Sequence, residues 1–232
     1  IDTVPLSDII SAECAASSLL LPGDIDVTGI SDEVRGYEVA SVGPIRSALE
    51  PLHVAWPLDV VQHGYKLKFK RRGTASSVAS VPYADLGAFT GGEFEGRLSS
   101  TREMDSQLPC RVSIKYKDVG REYDIGGQYA ERLNSGAINI ESIELAICLS
   151  ADEALQKAEV LLFSRWVERY DLAFSLPPTY NNIEPADIIN IDAGNGTHEV
   201  RVESISYEPN GRLVCTAKPN RSTTYTSNAI GS

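Results

Sequence analysis

The sequence predicts an α+β chain. A small α/β subdomain over residues 1–73 is followed by a β-barrel-like domain over residues 74–232 that carries one long packed helix. Three observations predict this. Apolar residues recur at helical spacing in only three stretches. Short alternating or apolar runs bounded by Gly, Pro, Asn and Asp fill most of the rest. A capping box, Ser150-Ala151-Asp152-Glu153, opens the longest helical stretch. A composition of 42% hydrophobic and 23% charged residues over 232 positions is that of a globular protein with an adequate core.

From the N-terminus, Leu6-Ser7-Asp8 opens a helix, with Ser7 read as N-cap and Asp8 favourable in the first turn. Ile9, Ile10, Cys14 and Ser17 follow at roughly helical spacing, and Pro22-Gly23-Asp24 ends the stretch. Val34–Val39 alternates as a short strand. Gly43-Pro44 starts a second helix with Pro44 at its first position. Ile45, Ala48, Leu49 and Leu52 form its apolar stripe, and Pro51 is expected to kink or end it. A hairpin comes next. Asp59–Gln62 turns at His63-Gly64 into Tyr65–Lys70, with Tyr65, Leu67 and Phe69 on the buried face and Lys66, Lys68 and Lys70 on the wet one.

Residues 73–80 read as a linker, and residues 90–107, without apolar periodicity, as a mobile loop. Strands are expected at Val112–Tyr116, Glu122–Ile125, Gln128–Leu133 and Asn139–Leu149, with Gly126-Gly127 as a barrel bend or bulge. The capped helix spans Ala151 to about Glu168, its stripe made of Ala154, Leu155, Ala158, Leu162 and Trp166. Four further strands are expected at Tyr170–Leu176, Asp187–Ile191, His198–Tyr207 and Arg212–Ala217. Turn residues such as Gly194-Asn195-Gly196 and Pro209-Asn210-Gly211 separate them.

The chemistry-bearing residues are sparse. Cys14, Cys110, Cys148 and Cys215 contain no close pair of the kind zinc sites use, and read as reduced, buried thiols. His53, His63 and His198 have no neighbours that suggest catalysis. Asp24/Asp26 and Asp152/Glu153 are explained by a turn and a helix cap. There is no nucleophile elbow and no phosphate-binding glycine loop. No catalytic, cofactor-binding or metal-ligating residue is therefore assigned, and the chain is expected not to be an enzyme and to need no cofactor.

The net charge of −11 disfavours binding to nucleic acid and to anionic lipid. The only concentrated basic cluster, Lys66, Lys68, Lys70, Arg71 and Arg72, reads as a solvated strand face. The longest apolar run, Leu145–Leu149, is far short of the ~20 residues of a membrane span. No signal peptide is visible, and a start at Ile1 fits a fragment of a longer polypeptide or a processed product.

The residues also carry a resemblance. VPLSDIISAECAASSLL, followed by the RGY strand at 35–37, the R-x-ALEPL helix at 46–52 and the DVVQHGYKLKFKRRG hairpin at 59–73, resembles the hub domain of phage tail-tip proteins. The tip attachment protein J of lambda-like phages and the host-contact tail protein of gene transfer agents belong to that group. LPCRVSIKYKDVGREYDIGGQYAER at 108–132 and the helix, aromatic strand and turn from Leu149 to Ile191 are similar to later parts of the same family. Ala186 stands where the family's turn usually has glycine, which puts a positive-φ turn there in doubt.

The resemblance implies a structural baseplate or tail-tip hub segment, with no catalytic residues. It implies a homotrimeric ring around the genome-delivery channel, touching other tail-tip and distal tail proteins. Host receptors would be met through regions outside this segment. The protein would be made in the bacterial host cytoplasm and reside at the virion tail tip of a phage, prophage or gene transfer agent. The alternatives are a tail-associated cell-wall hydrolase and a carbohydrate- or receptor-binding module. The second would need an exposed aromatic platform, for which Trp56, Tyr180 and Tyr225 are the candidates.

Overall fold

The structure, a computed structural model, describes residues 2–39, 43–87, 97–133 and 136–226. In chain order the elements begin with β1 (Val4–Pro5), α1 (Leu6–Ala15), β2 (Ile25–Asp26), β3 (Glu33–Val34) and α2 (Ile45–Ala55). There follow β4 (Leu58–His63), β5 (Lys66–Arg71), β6 (Ala79–Val81), β7 (Ser99–Arg102), β8 (Pro109–Asp118), β9 (Asp124–Glu131) and β10 (Asn139–Leu149). The last are α3 (Ala151–Val167), β11 (Tyr170–Leu176), β12 (Ile188–Asp192), β13 (Thr197–Tyr207) and β14 (Leu213–Pro219). The architecture is mixed α+β, as the sequence predicts.

These elements form two compact units, each discontinuous in sequence. One comprises Ile1–Arg72, Asp105–Phe163 and Tyr225–Ser232; the other comprises Gly73–Met104 and Ser164–Thr224. The expected division into 1–73 and 74–232 therefore differs from the observed grouping. β8, β9, β10 and most of α3 belong with the N-terminal elements, not with the second sheet. The expectation that the long helix packs on the second domain is corrected for its residues 151–163.

In the first unit, α1 buries Leu6, Ile10 and Cys14, spaced four apart on one face. Pro5, not Ser7, occupies its N-cap position, and no side chain caps the helix. Its Leu6 N–H is satisfied instead by the carbonyl of Asp32 at 2.8 Å. Ser7 lies inside the first turn, where its carbonyl accepts from Ser11 Oγ. Pro44 is likewise the N-cap of α2 and not its first residue, and Pro51 sits within the helix, which continues to Ala55. Burial of Leu49, Leu52 and Ala55 holds the last turn together despite the lost hydrogen bond at Pro51.

β4 and β5 form the expected antiparallel hairpin. Phe69 is buried, but Tyr65 is 97% exposed. The turn takes up Tyr65, so the inward alternation begins only with Leu67. The segment expected as a strand from Val34 divides its bonds. Glu33 and Val34 pair with β1, and Gly36 to Glu38 bond to the far edge of β10.

The three-stranded sheet has the order β10-β8-β9, with β10 parallel and β9 antiparallel to β8. β9 runs unbroken through Gly126-Gly127, so the expected bulge is absent from its ladder with β8. Glycine at 126 has a steric cause. A Cβ there would lie 2.7 Å from Cζ of Tyr116.

The second unit is a six-stranded sheet of order β6-β12-β13-β14-β11-β7. Among the described residues it is open, with β6 and β7 at its edges, so the barrel-like expectation is corrected to an open sheet. One face builds a core from Leu176, Ile183, Ile189, Ile191, Val200, Val202, Leu213 and Cys215, among others. The four late strands stand close to where the alternation places them. Part of the expected mobile loop is strand β7, which pairs with β11 through Tyr170↔Arg102 to Ala173↔Ser99. The end of the expected linker is β6, paired in parallel with β12. Both are short edge strands with polar or small residues, which leave little periodic signal. Residues 90–96 of the expected loop lie outside the described residues.

Candidate functional site

The histidines, carboxylate pairs and cysteines singled out in the sequence lie on separate elements of the chain. The His53 ring packs edge-on against Phe69 at 6.3 Å, and burial pushes its pKa down. His63 ends β4 and His198 lies in β13. Asp24 Oδ2 accepts from the Leu21 N–H at 2.9 Å and Asp26 Oδ1 from the Thr28 N–H at 3.0 Å, so both close turns. Hydrogen bonding from the Thr28 side chain, and after it from the Thr28 N–H, holds the Asp26 carboxyl below its ordinary value. All four cysteines are free thiols. Cys14 and Cys215 are buried as expected, and burial pushes Cys215 up to about 11, the opposite of an activated thiol. Cys110 and Cys148 are only half-buried. Among the described residues no group of three or more His, Cys, Asp or Glu could hold a metal ion.

The basic cluster is partly neutralised in place. Arg71 donates to both Asp32 oxygens, at 2.8 and 3.3 Å, and to the Pro57 carbonyl. Arg72 donates from Nε and Nη2 to Asp59 Oδ1 at 3.0 and 2.7 Å. The guanidinium groups thus tie the hairpin to its surroundings. Among the described residues no helix is long and apolar enough to cross a membrane.

The proposed aromatic platform does not form. Trp56 is only 4% exposed. Tyr180 is half-buried and donates its hydroxyl to Asp85 at 2.7 Å. Tyr225 is half-buried as well.

What the first unit does present is one sheet face and one strand edge, which reading along the chain missed. The face is set by alternation in β8, β9 and β10. Val112, Ile114 and Tyr116 point inward, while Ser113, Lys115 and Lys117 lie on the other side. Ile125, Tyr129 and Ile140 share that outer side and are exposed. Arg111 stacks over the Tyr129 ring at 4.6 Å and pairs with Glu131 at 3.1 Å. Leu133 and Ile138, beyond the strand ends, are 82% and 80% exposed.

The edge follows from register. The Arg132 N–H donates to the Cys110 carbonyl, and the β8–β9 register is regular from Arg111↔Glu131 to Asp118↔Asp124. In an antiparallel ladder, bonded and non-bonded pairs alternate. The backbones of Ile125, Gly127, Tyr129 and Glu131 therefore face away from β8. Asp124 Oδ1 accepts from the Ile125 N–H. Among the described residues no other strand pairs with this edge. The opposite sheet edge, on β10, is bonded to Gly36 and Glu38 near its C-terminal end. An unpaired edge beside exposed apolar side chains is a template for another chain.

No curated protein matches the sequence. Among solved structures, a chain of the virion of a native gene transfer agent particle is similar, with a TM-score of 0.88 and 22% identity over 99% of this chain. This chain spans 50% of that one. A tail protein from Neisseria meningitidis MC58 is similar with a TM-score of 0.63 and 9% identity, covering 99% of this chain and 70% of that one. The 43 kDa tail protein of prophage MuSo2 from Shewanella oneidensis has a TM-score of 0.63 and 13% identity, covering 97% of this chain and 68% of that one. Residues 44–205 match the profile of a family described as "Putative phage tail protein". That match takes in well over half of the sequence, and the chain belongs to this phage tail protein family.

Proposed function

We propose that the chain is a structural segment of a tail-tip or baseplate hub in a phage-like particle, assembled as a ring of three around the genome-delivery channel. It works without catalysis. The observation that carries this reading is the likeness over 99% of the chain to a chain of a gene transfer agent virion, within a family of tail proteins. The open β9 edge and the outer face around Tyr129 are the surface offered to neighbouring tail proteins. The net charge of −11 suits a wall that DNA passes without gripping, because grip on phosphates comes from basic side chains. Host contact is left to regions of the particle outside this segment.

The test is genetic and biochemical. Deleting the gene in its source should leave particles with no completed tail tip and no delivery. A complementing copy bearing charged residues at Ile125 and Tyr129 should fold but fail to enter particles. Normal particles from the deletion strain, or release of cell-wall fragments by the purified chain, would overturn the proposal.

A further inference from the structure

A polar cavity of about 230 Å³ lies in the first unit, apart from the sheet face described above. Its wall is built from four places in the chain, one of them the end of β10, with Cys148 and Leu149. The start of α3 supplies Glu153, Gln156 and Lys157, the stretch around β3 supplies Asp32, Glu33 and Arg35, and the end of α2 supplies Trp56. The helix places Glu153 and Lys157 one turn apart on the same face.

Each carboxylate in this wall already has a hydrogen-bond or ion-pair partner. Asp32 is held by Arg71 at 2.8 Å. Glu33 accepts from Thr3 Oγ1 at 2.7 Å. Glu153 is held by Arg35 at 3.1 Å and by the Ser150 N–H at 2.8 Å. Lys157 differs from all of these. Its ammonium lies over the Trp56 ring, 4.4 Å from the centroid, and among the described residues it makes no hydrogen bond and no ion pair. A ring face stabilises a cation but offers no acceptor for its three N–H donors. Burial and, secondarily, the charge of Arg71 bring the amine down to about 8, against the pull of Asp32 and Glu153. It is still mostly charged at neutral pH.

We propose that this cavity is a receptor site for one carboxylate, which pairs with the Lys157 ammonium above Trp56. A monoanion is specified because Asp32, Glu33 and Glu153 surround the site. A phosphate dianion would meet more repulsion from those three carboxylates. The cavity is larger than a single water needs and has room for a short acid or the end of an acidic side chain. The assignment is independent of the hub reading, since it rests only on residues within the first unit.

The experiment follows the ε-carbon resonance of Lys157 in labelled 232-residue chain while propionate, propionamide or N-acetylglutamate amide is added. Propionate should move the resonance saturably at neutral pH, and uncharged propionamide should not. Raising the pH from 7 to about 9 should weaken propionate about tenfold, as the charged fraction of an amine titrating near 8 falls by that factor. Followed instead by the Trp56 indole N–H resonance, Lys157→Met should lose binding while a thermal melt shows the fold intact. If N-acetylglutamate amide binds more tightly than propionate, the natural occupant is an acidic side chain of a neighbouring protein. If propionate binds as tightly or more so, it is a free small acid. Equal shifts with propionamide, propionate binding that survives in Lys157→Met, or no saturable shift by about 0.1 M propionate would overturn the proposal.

Discussion

Ser150 and Glu153 cap α3 reciprocally. The Ser150 N–H donates to Glu153 Oε2 at 2.8 Å, and the Glu153 N–H donates to Ser150 Oγ at 3.3 Å. Burial, the largest single influence on the Glu153 carboxyl, pushes its pKa up. The bonds from Ser150 and Arg35 together outweigh burial and leave it below its ordinary value. Replacing Ser150 by Ala should cost about 1 kcal/mol in a urea melt. The carboxylate's contribution should be present above the ordinary glutamate range and be lost as the pH falls through the depressed folded value. A Glu153→Gln variant should flatten that acid limb.

Arg201 and Glu168 form an ion pair inside the second unit. Their Nη2 and Oε1 atoms are 3.0 Å apart, and the two side chains are 6% and 16% exposed. Arg201 also pairs with Glu203 Oε1 at 3.6 Å, so removing Glu168 weakens the compensation of a buried charge without abolishing it. Glu168→Ala should therefore destabilise by about 1.5–3 kcal/mol, the range for a lost hydrogen bond to a charged group, whereas replacing both residues with apolar ones of similar volume should cost less. Equal losses for the single and double variants in denaturant melts would show that packing, not the charge, is at stake.

Lys157 predicts an unusual alkaline limb. Its folded value of about 8 lies below the ordinary 10.5, so the unfolded chain binds the extra proton between those two pH values. Stability from this group should rise as the pH climbs through that window and be at its lowest below it. Melts of the native chain and of Lys157→Met across pH 7 to 10.5 provide the check. The variant should lose the rise and be the more stable of the two at neutral pH.

Ala186 adopts φ 65°, a left-handed conformation, and its N–H donates to the Val202 carbonyl at 2.7 Å. The turn keeps its geometry without a glycine, contrary to the doubt raised from the sequence. The strain of a Cβ there is offset in part by the smaller backbone entropy of alanine in the unfolded chain. Ala186→Gly should on balance stabilise by about 0.5–1 kcal/mol. A destabilised variant would show that the buried methyl group contributes more than the strain removes.

Local signals were legible where one element answers to one pattern. The capping box marks α3, and period-two runs flanked by turns mark β8 and β10 to β14. Short edge strands were not legible. β6 and β7 hold polar or small residues, and only their partners β12 and β11 define them as strands. Nor does Pro51 announce that burial of Leu52 and Ala55 will carry α2 past it. The outer face of the three-stranded sheet and the Lys157 cavity depend on residues brought together from distant stretches. Arg111 and Tyr129 share a face through the antiparallel β8–β9 pairing, and Ile140 joins them because β10 returns to β8 in parallel. Trp56 and Lys157 meet with no periodic signal linking them.

The proposed place of this chain, in a ring around the channel at the distal end of a phage-like tail, can be seen in a cryo-electron microscopy map of the intact particle from its source, with the chain built into density. Three copies are expected around the axis at the tail tip, with the β9 edge or the Tyr129 face against a neighbouring protein. Density for the chain elsewhere in the particle, or particles that lack it altogether, would overturn the proposed role.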